Sequence, residues 1–489
     1  VFFMLKHLQS HQEYLNTQSQ LRGTVPLEAL EEYDELIATF QLLNFDHAHD
    51  YLQTLYSSTG RPALNQIEIF RSMVLCTFLD TSWEKMIHLL HHRAVFRMII
   101  GISKEEIPTL PSFYAFNIRI MPTDEKSITR KPIGKKPTKK YKKNEKMPEK
   151  KDGRVQKMVH LATKDKPFND SRPERHLQTL FKLISVDSSI KQGLLADSCY
   201  LSGDGTSVRT GATSYGRKIC DCRKQGIFKC NCPRRYSDPK AEYGWDSYKA
   251  QYYYGHTAYF LSTYNKEQKV DLPLYVKMLS AKRHDSVTAI ISLAEFRELY
   301  PNLTIKGFLS DSASDNYPTY QLLGRPDWNI PAFIALNQRK EAKFTYKQVE
   351  INDQGVPICE GGLPMIYHGR DDSRCRNKFR CPAIAKKGVV CPLEKYCSSS
   401  PYGRTVYTKT EDNPRFFTVV PRNTKQWQLV MNQRTSIERI NKHVLRDCGI
   451  ENNGVRTRGR INVWITMAMM VIHLKAQYKY RIHEQKEVK

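Results

Sequence analysis

Two short apolar stretches, far apart in the chain, each end in an aspartate. CYLSGDGTSV reaches Asp204 between two glycines, and TIKGFLSDSASDN reaches Asp311. An Asp-Gly pair is typical of a turn, so Asp204 by itself indicates only where a strand ends. Strand and helix patterns mix around both stretches, and the ends of neighbouring strands in an α/β sheet are where sites form. The pattern therefore predicts an α/β fold whose sheet carries two carboxylates.

The segments around these acids complete the pattern. QYYYGHTAYFLSTY, LPLYVKML and AFIALN predict strands, and HDSVTAIISLAEFRELY predicts a helix capped by Asp285. A later helical stretch, QRTSIERINKHVLRD, carries Glu438. Carboxylate oxygens suit Mg²⁺, and two such ions about 4 Å apart can activate the attacking oxygen and stabilise the leaving oxygen at a phosphodiester. These acids predict phosphodiester chemistry.

The charge balance favours a polyanionic partner. The 489 residues include 76 Lys and Arg against 50 Asp and Glu, a formal net charge of +26. Such an excess favours a nucleic acid or another anionic surface as partner. No apolar run reaches about 18 residues, which disfavours a membrane span. The opening VFFML meets Lys6 too early for a signal peptide. We therefore expect a cytoplasmic, nucleic-acid-binding protein with no membrane contact.

A basic stretch separates a helical N-terminal part, residues 1–121, from the rest. Between Arg130 and Arg154 there are twelve Lys and Arg, three acids and almost no apolar residues, so residues 122–158 are predicted to form a flexible linker. A solvated tail and a segment that contacts DNA phosphates both remain open. The lysines that would make such contacts are Lys135, Lys136, Lys139, Lys140, Lys142 and Lys143.

The order of motifs resembles that of a known family. GDGTSV, RHDS, FLSDSASDN, RTSIERIN and RTRGRINVW follow one another as in the DDE transposases of bacterial insertion sequences, in the IS4/IS1182-like group. ALNQIEIFRSMVLCTFLDTSWEKMIHLL resembles the helical domain that precedes their catalytic core. The resemblance covers most of residues 60–475. It implies an RNase H-like mixed sheet flanked by helices, with an N-terminal helical, DNA-binding domain and a Cys-rich insertion.

The resemblance also implies the site and its partners. Asp204, Asp311 and Glu438 match the catalytic acids, which in the family bind two Mg²⁺ or Mn²⁺ ions. The implied partner is double-stranded DNA, both the inverted repeats of the element and the target, bound by a homodimer in a nucleoid-associated bacterial setting. The catalytic core would occupy residues 159–337, including a Cys-rich loop at 217–235, and residues 421–489 with the C-terminal helices. Residues 338–420 would form the insertion.

The motif around the glutamate is matched in part. In the family it runs Tyr, two residues, Arg, three residues, Glu, six residues, Lys. Arg434 fits, four residues before Glu438 on one helix face. Met431 and Leu445 stand at the Tyr and Lys positions. The residues expected to contact DNA are Arg434 and the two nearby substitutes for the lysine, Lys442 and Arg446.

Twelve cysteines in a reducing compartment indicate thiols or metal ligands rather than disulfides. CDCRKQGIFKCNC forms two C-x-C pairs, which could complete a tetrahedral Zn²⁺ site surrounded by basic residues. A second, more widely spaced group in the insertion is a weaker zinc candidate; free thiols remain the alternative for both groups. The first group is Cys220, Cys222, Cys230 and Cys232, and the second is Cys375, Cys381, Cys391 and Cys397.

Three functions are compatible with these features. The first is a transposase that cleaves DNA and joins the cut ends to a target. The second is a nuclease on the same fold that cuts without joining. The third is a transposase-derived DNA-binding protein that has lost catalysis, which the residues at the Tyr and Lys positions keep open.

Overall fold

The N-terminal part of the chain is helical. The computed structural model describes residues 3–5, 7–122, 129–130, 152–164, 172–337, 344–393, 397–452 and 454–487. Two short strands, β1 (Phe3–Leu5) and β2 (Arg61–Ala63), pair in parallel beside the helices. The helices are α1 (His11–Arg22), α2 (Leu27–Glu32), α3 (Asp34–Phe40), α4 (His49–Thr54), α5 (Gln66–Phe78), α6 (Trp83–His92), α7 (Ala94–Ile100) and α8 (Leu110–Ile120).

Short elements connect this part to the sheet. They are β3 (Thr129–Arg130), α9 (Arg154–Ala162), α10 (Arg175–Phe181) and α11 (Asp187–Lys191). Helix α9 begins within the segment predicted as a linker. It packs against the helix Asp285–Leu299, which follows the strand Val270–Ser280. The six lysines predicted to contact DNA, from Lys135 to Lys143, lie outside the described residues.

A mixed sheet of six strands forms the centre of the molecule. Along the sheet the order is β9, β8, β4, β10, β11, and β7 also pairs with β8. Strand β4 is antiparallel to β8, whereas β10 runs parallel to β4 and β11 parallel to β10. The strands up to this point are β4 (Ser198–Arg209), β5 (Arg217–Lys218), β6 (Arg234–Arg235), β7 (Glu242–Asp246), β8 (Gln251–Asn265), β9 (Val270–Ser280), β10 (Thr304–Ser310) and β11 (Ala332–Ile334).

Strand β8 is buried along almost all of residues 255–263, as expected of a central strand covered on both faces. The helices packed against the sheet include α12 (Asp285–Leu299), which follows β9, and two helices near the C-terminus. Helix α13 (Tyr317–Leu323) joins β10 to β11. The structure has a strand or a helix at each of the stretches predicted here, but β10 is one residue longer than expected and β11 covers only the first three residues of AFIALN.

Two antiparallel three-stranded sheets form the insertion. Its small core includes Val349, Val356 and Phe379. A buried ion pair ties it to the central unit, since Arg415 Nη2 lies 2.7 Å from Asp315 Oδ2. The elements are β12 (Phe344–Tyr346), β13 (Val349–Ile351), β14 (Pro357–Ile358), β15 (Ile366–Asp371), β16 (Arg376–Arg380), α14 (Pro382–Ala385) and β17 (Thr405–Lys409).

Three helices complete the described chain: α15 (Lys425–Met431), α16 (Thr435–Lys442) and α17 (Arg458–Glu487). Helix α17 packs against both α5 and β9, and the Trp83 and Trp464 rings stack with centroids 5.9 Å apart. One apolar core consequently runs from Val25 to Ala476 and joins the N-terminal helices to the sheet. Within the described ranges, no helix is both long and apolar enough to cross a bilayer.

Candidate active site and cysteine knuckle

Asp204 lies in β4, and Asp311 directly follows the neighbouring strand β10. The parallel pairing of β4 with β10 ends where Ser202 faces Leu309, and each aspartate lies two residues further on. Strand β4 continues past this point to Arg209, paired only with β8. Asp204 therefore lies within a strand rather than at its tip, because β4 continues where its parallel neighbour stops. The side chain of Asp311 also caps the next turn, accepting a hydrogen bond from the Ala313 N–H at 3.0 Å.

The environment of Asp204 disfavours its charge. Burial, followed by the nearby carboxylates of Asp311 and Asp285, raises the pKa of this carboxyl to about 7 against a smaller opposing effect of Arg434. Removing a carboxylate from water and placing it beside like charges both favour the protonated form. A site of this kind gains free energy from any cation that neutralises it.

Glu438 is tied to this cluster through an arginine. It lies in the first turn of α16, which packs against β4 and β8, with Ser436 Oγ 3.3 Å from Ser262 Oγ. Arg434 Nη2 lies 2.6 Å from Glu438 Oε1, one helical turn away. The same guanidinium acts on Asp204, so it is shared between the two acids. The Glu438 side chain is 54% exposed.

The three acids do not form a compact ligand set without a metal. In the described part of the chain, the only group of three or more metal-binding side chains with ligand atoms mutually within 4.8 Å is Cys220, Cys222, Cys230 and Cys232. The structure thus brings Asp204 and Asp311 together, and it leaves Glu438 in an ion pair with Arg434 at the edge of the same site.

Asn441 is a site residue that the sequence analysis missed. It follows Glu438 by three residues on α16, and its Nδ2 atom approaches Asp204 Oδ2 at 3.5 Å. Its Oδ1 atom is buried and accepts no hydrogen bond from the described residues. The spacing between Glu438 and Asn441 could have identified this residue from the sequence, because residues three apart in a helix lie on the same face. An unsatisfied amide oxygen beside crowded carboxylates fits an oxygen-liganded divalent cation.

Asp285 also contributes, although not as the helix cap that the sequence predicted. His284 is the N-cap of α12, and Asp285 lies in the first turn. A Cβ added at Gly205 would lie 2.4 Å from Asp285 Oδ1, so this glycine makes room for the carboxylate. Successive strand residues point to opposite faces, which places Asp285 behind Asp204. Burial and the charge of Asp311 raise the pKa of Asp285.

The departures from the family motif have structural explanations. Met431 packs against the cluster formed by Leu309, Phe333 and Val430, and Leu445 packs against the main core. Both positions therefore contribute apolar packing in this chain. Lys442 and Arg446, the expected substitutes for the lysine, are exposed on the surface beside the site.

The first cysteine group forms a compact knuckle between β5 and β6. Its four sulfurs lie within 4.8 Å of one another and are half-buried. Cys220 Sγ lies 3.6 Å from Cys230 Sγ, and Cys222 Sγ lies 3.5 Å from Cys232 Sγ. Four sulfurs bound to one zinc would be about 3.8 Å apart, given Zn–S bonds near 2.3 Å. The cluster is therefore already close to tetrahedral zinc geometry.

Hydrogen bonds favour the ionised form of one of these thiols. The backbone N–H of Cys222 and the thiol of Cys230 lower the pKa of Cys220 to about 7. Metal ligation requires the thiolate. Around the knuckle, Arg217, Arg223, Lys224, Lys229 and Arg235 are exposed, and Lys218 and Arg234 are half-buried.

The second cysteine group is only partly brought together. Cys381 is buried at the start of α14, and Cys391 and Cys397 are half-buried in the loop that follows. Cys375 is exposed at the opposite end of β16, with its sulfur 3.5 Å from the Asp372 carbonyl oxygen.

Comparison with known proteins concerns the N-terminal helices. Residues 26–117, which contain α2 to α7 and most of α8, match the family described as Transposase domain (DUF772). A search of curated proteins gave no match. The family match covers the helical unit whose core is continuous with the acidic site. It supports a transposase family for this chain and, in general terms, a DNA-processing enzyme.

Proposed function

We propose that this chain is a DDE transposase that binds the ends of an insertion sequence, cleaves DNA and transfers the cut strand to a target. The observation that carries the proposal is the proximity of two acids: Asp204 in β4 and Asp311 directly after β10 each lie two residues beyond the last parallel pair, and Asp311 acts on the Asp204 carboxyl. A transposase-family match in the same chain supports it.

The order of the central strands supports an RNase H-like core. Numbered along the chain from β4, the five main strands follow the spatial order 3-2-1-4-5, with only the second antiparallel to its neighbours. The first acid lies on strand one, the second follows strand four, and the glutamate lies on a later helix. This is the arrangement that the sequence resemblance implies.

The residues of the site have distinct tasks in this proposal. Asp204, Asp311 and Glu438 would hold two Mg²⁺ or Mn²⁺ ions, which supply an activated water or DNA 3′-hydroxyl and stabilise the leaving oxygen. Asn441 orients Asp204 through its amide. Arg434 would exchange its contact with Glu438 for a DNA phosphate. Because no covalent enzyme intermediate is needed, the protein contributes positioning and charge stabilisation.

Binding would rely on basic surfaces outside the acidic site. The cysteine knuckle, holding one zinc, would present its arginines and lysines to the DNA backbone, and Lys442 and Arg446 would contact DNA beside the active site. The basic stretch between Arg130 and Arg154 would add contacts that do not depend on sequence. The protein would act as a homodimer in the bacterial cytoplasm, since two DNA ends must be cut.

The decisive experiment measures cleavage and joining by the purified full-length protein. The substrate is a plasmid that carries the DNA flanking both sides of this gene, with Mg²⁺ and a second plasmid as target. Asp204→Asn should abolish both reactions and leave DNA binding nearly unchanged, because it removes a ligand charge and no phosphate contact.

Asp271→Asn is the matched control. Asp271 also contacts α16, through Arg439 at 2.6 Å, but is not among the acids of the cluster. This variant should keep its activity. Cleavage without joining would support the nuclease instead, and full activity of Asp204→Asn would remove Asp204 from the mechanism.

A further inference from the structure

The insertion contains a fifth cysteine, Cys359, which belongs to neither of the two cysteine groups predicted from their spacing. It is buried and follows β14 directly. A tight turn encloses it: the Gly362 N–H donates to the Cys359 carbonyl at 2.8 Å, and the Cys359 N–H donates to Leu363 at 2.9 Å. Gly362 adopts a left-handed conformation, with φ of +74°. The turn places the thiol at the junction of the two insertion sheets.

Contacts at two glycines locate three of the insertion's cysteines, and one of these glycines lies between Cys359 and Cys391. A Cβ added at Gly361 would lie 3.7 Å from Cys391 Sγ and 3.8 Å from Cys359 Sγ, so these two sulfurs are no more than 7.5 Å apart. At Gly403, an added Cβ would lie 3.4 Å from Cys381 Sγ. Cys397 is close enough to Cys381, Cys391 and Cys359 for all three to act on its thiol electrostatically.

Cys375 cannot join this group. It precedes β16, whereas Cys381 follows the same five-residue strand. At about 3.3 Å per residue, the two α-carbons are about 20 Å apart. The strand holds Cys375 at the far edge of the sheet, on the surface.

We propose that Cys359, Cys381, Cys391 and Cys397 form a second tetrahedral zinc site, which joins the two small sheets of the insertion. No three of these four sulfurs lie mutually within the 4.8 Å that the knuckle satisfies, so Zn²⁺ would draw them together as it displaces the thiol protons. The apolar cluster that contains Cys359 has only six buried members, and small units of this kind commonly depend on a metal for stability. This proposal is independent of the catalytic one.

The test is the zinc content of the full-length protein, purified without chelator. Wild type should contain two zinc ions per chain, and Cys359→Ser and Cys222→Ser should each contain one. Cys375→Ser is the matched control and should retain two. One zinc in the wild type, lost only in Cys222→Ser, would overturn the proposal, as would loss of zinc in Cys375→Ser but not in Cys359→Ser.

A second measurement needs no variant. The native protein is alkylated with iodoacetamide before and after addition of a chelator, and the modified cysteines are mapped by mass spectrometry. Cys375 should react at once, whereas Cys391 and Cys397 should react together only after the metal is removed. Core Cys76 should stay protected throughout. Reaction of Cys391 and Cys397 as fast as Cys375 in the metal-loaded protein would overturn the site.

Discussion

Replacing Asp204 with asparagine should stabilise the metal-free protein at neutral pH. The pKa of Asp204 rises from 3.8 to about 7 on folding, so the folded state favours the protonated carboxyl. The stability that this group contributes is fully present below pH 4 and is lost as the pH rises through 7. At about 1.4 kcal/mol per pKa unit, the loss reaches at most about 4 kcal/mol. Asparagine carries no charge, so Asp204→Asn avoids this loss of stability.

The difference should therefore grow with pH. Between pH 5 and pH 8, the free energy of unfolding of Asp204→Asn should gain about 2–3 kcal/mol relative to wild type. Urea unfolding in the presence of EDTA, at pH 5, 6.5 and 8, measures it. Asp311, Asp285 and Arg434 are the charged groups that face Asp204, and they are the same in both proteins.

Asp238→Asn is a control for which the opposite change in stability is expected. Burial opposes ionisation of Asp238, but hydrogen bonds from His256 and Thr210 outweigh it and lower the pKa of this carboxyl. Its contribution is present above its unfolded pKa and lost on acidification, so Asp238→Asn should destabilise the protein most near neutral pH. Equal stability of wild type and Asp204→Asn at pH 8, or a gap that narrows with rising pH, would refute the reasoning.

Three further changes probe other parts of the molecule. Gly205→Ala should reduce cleavage by up to about 100-fold with the fold retained by circular dichroism, because the new Cβ displaces Asp285; unchanged cleavage would contradict this. Arg415→Met should lower the free energy of unfolding by about 3–5 kcal/mol, since it removes the ion-pair partner of the buried Asp315 carboxylate, and Asp315→Asn in the same chain should restore part of the loss. Deleting residues 131–150, which include nine lysines, should weaken binding to element-end and random DNA alike. Titrations across a salt series should show a flatter slope, by about one for each lost phosphate contact, and lost discrimination at an unchanged slope would show that the segment reads sequence.

Local patterns predicted most elements near the site. Aromatic and β-branched runs predicted β8 and β9, and apolar spacing predicted α12 and α16. Helix boundaries are less accurately predicted. The apolar spacing of VPLEALEEYDELIATFQLL predicts a helix, which divides into α2 and α3 at Tyr33, and Thr81 followed by Glu84 predicts a capping box, whereas the cap of α6 is Ser82. Caps depend on single backbone conformations, which periodicity does not specify.

The sequence by itself determined the excess positive charge, the strand-then-acid pattern, the helix that carries Glu438 and the spacing of the cysteine knuckle. The charge is a sum over the whole chain, and the other three are properties of a few neighbouring residues. None of them depends on how distant parts of the chain pack together. Only the tertiary structure decided that Asp285 lies behind Asp204, that the Asn441 amide reaches it, and that Cys359 rather than Cys375 approaches Cys391. Such contacts join residues tens to hundreds of positions apart, and sheet register and strand direction establish them. The number of residues between two cysteines does not show that a strand holds them at its opposite ends.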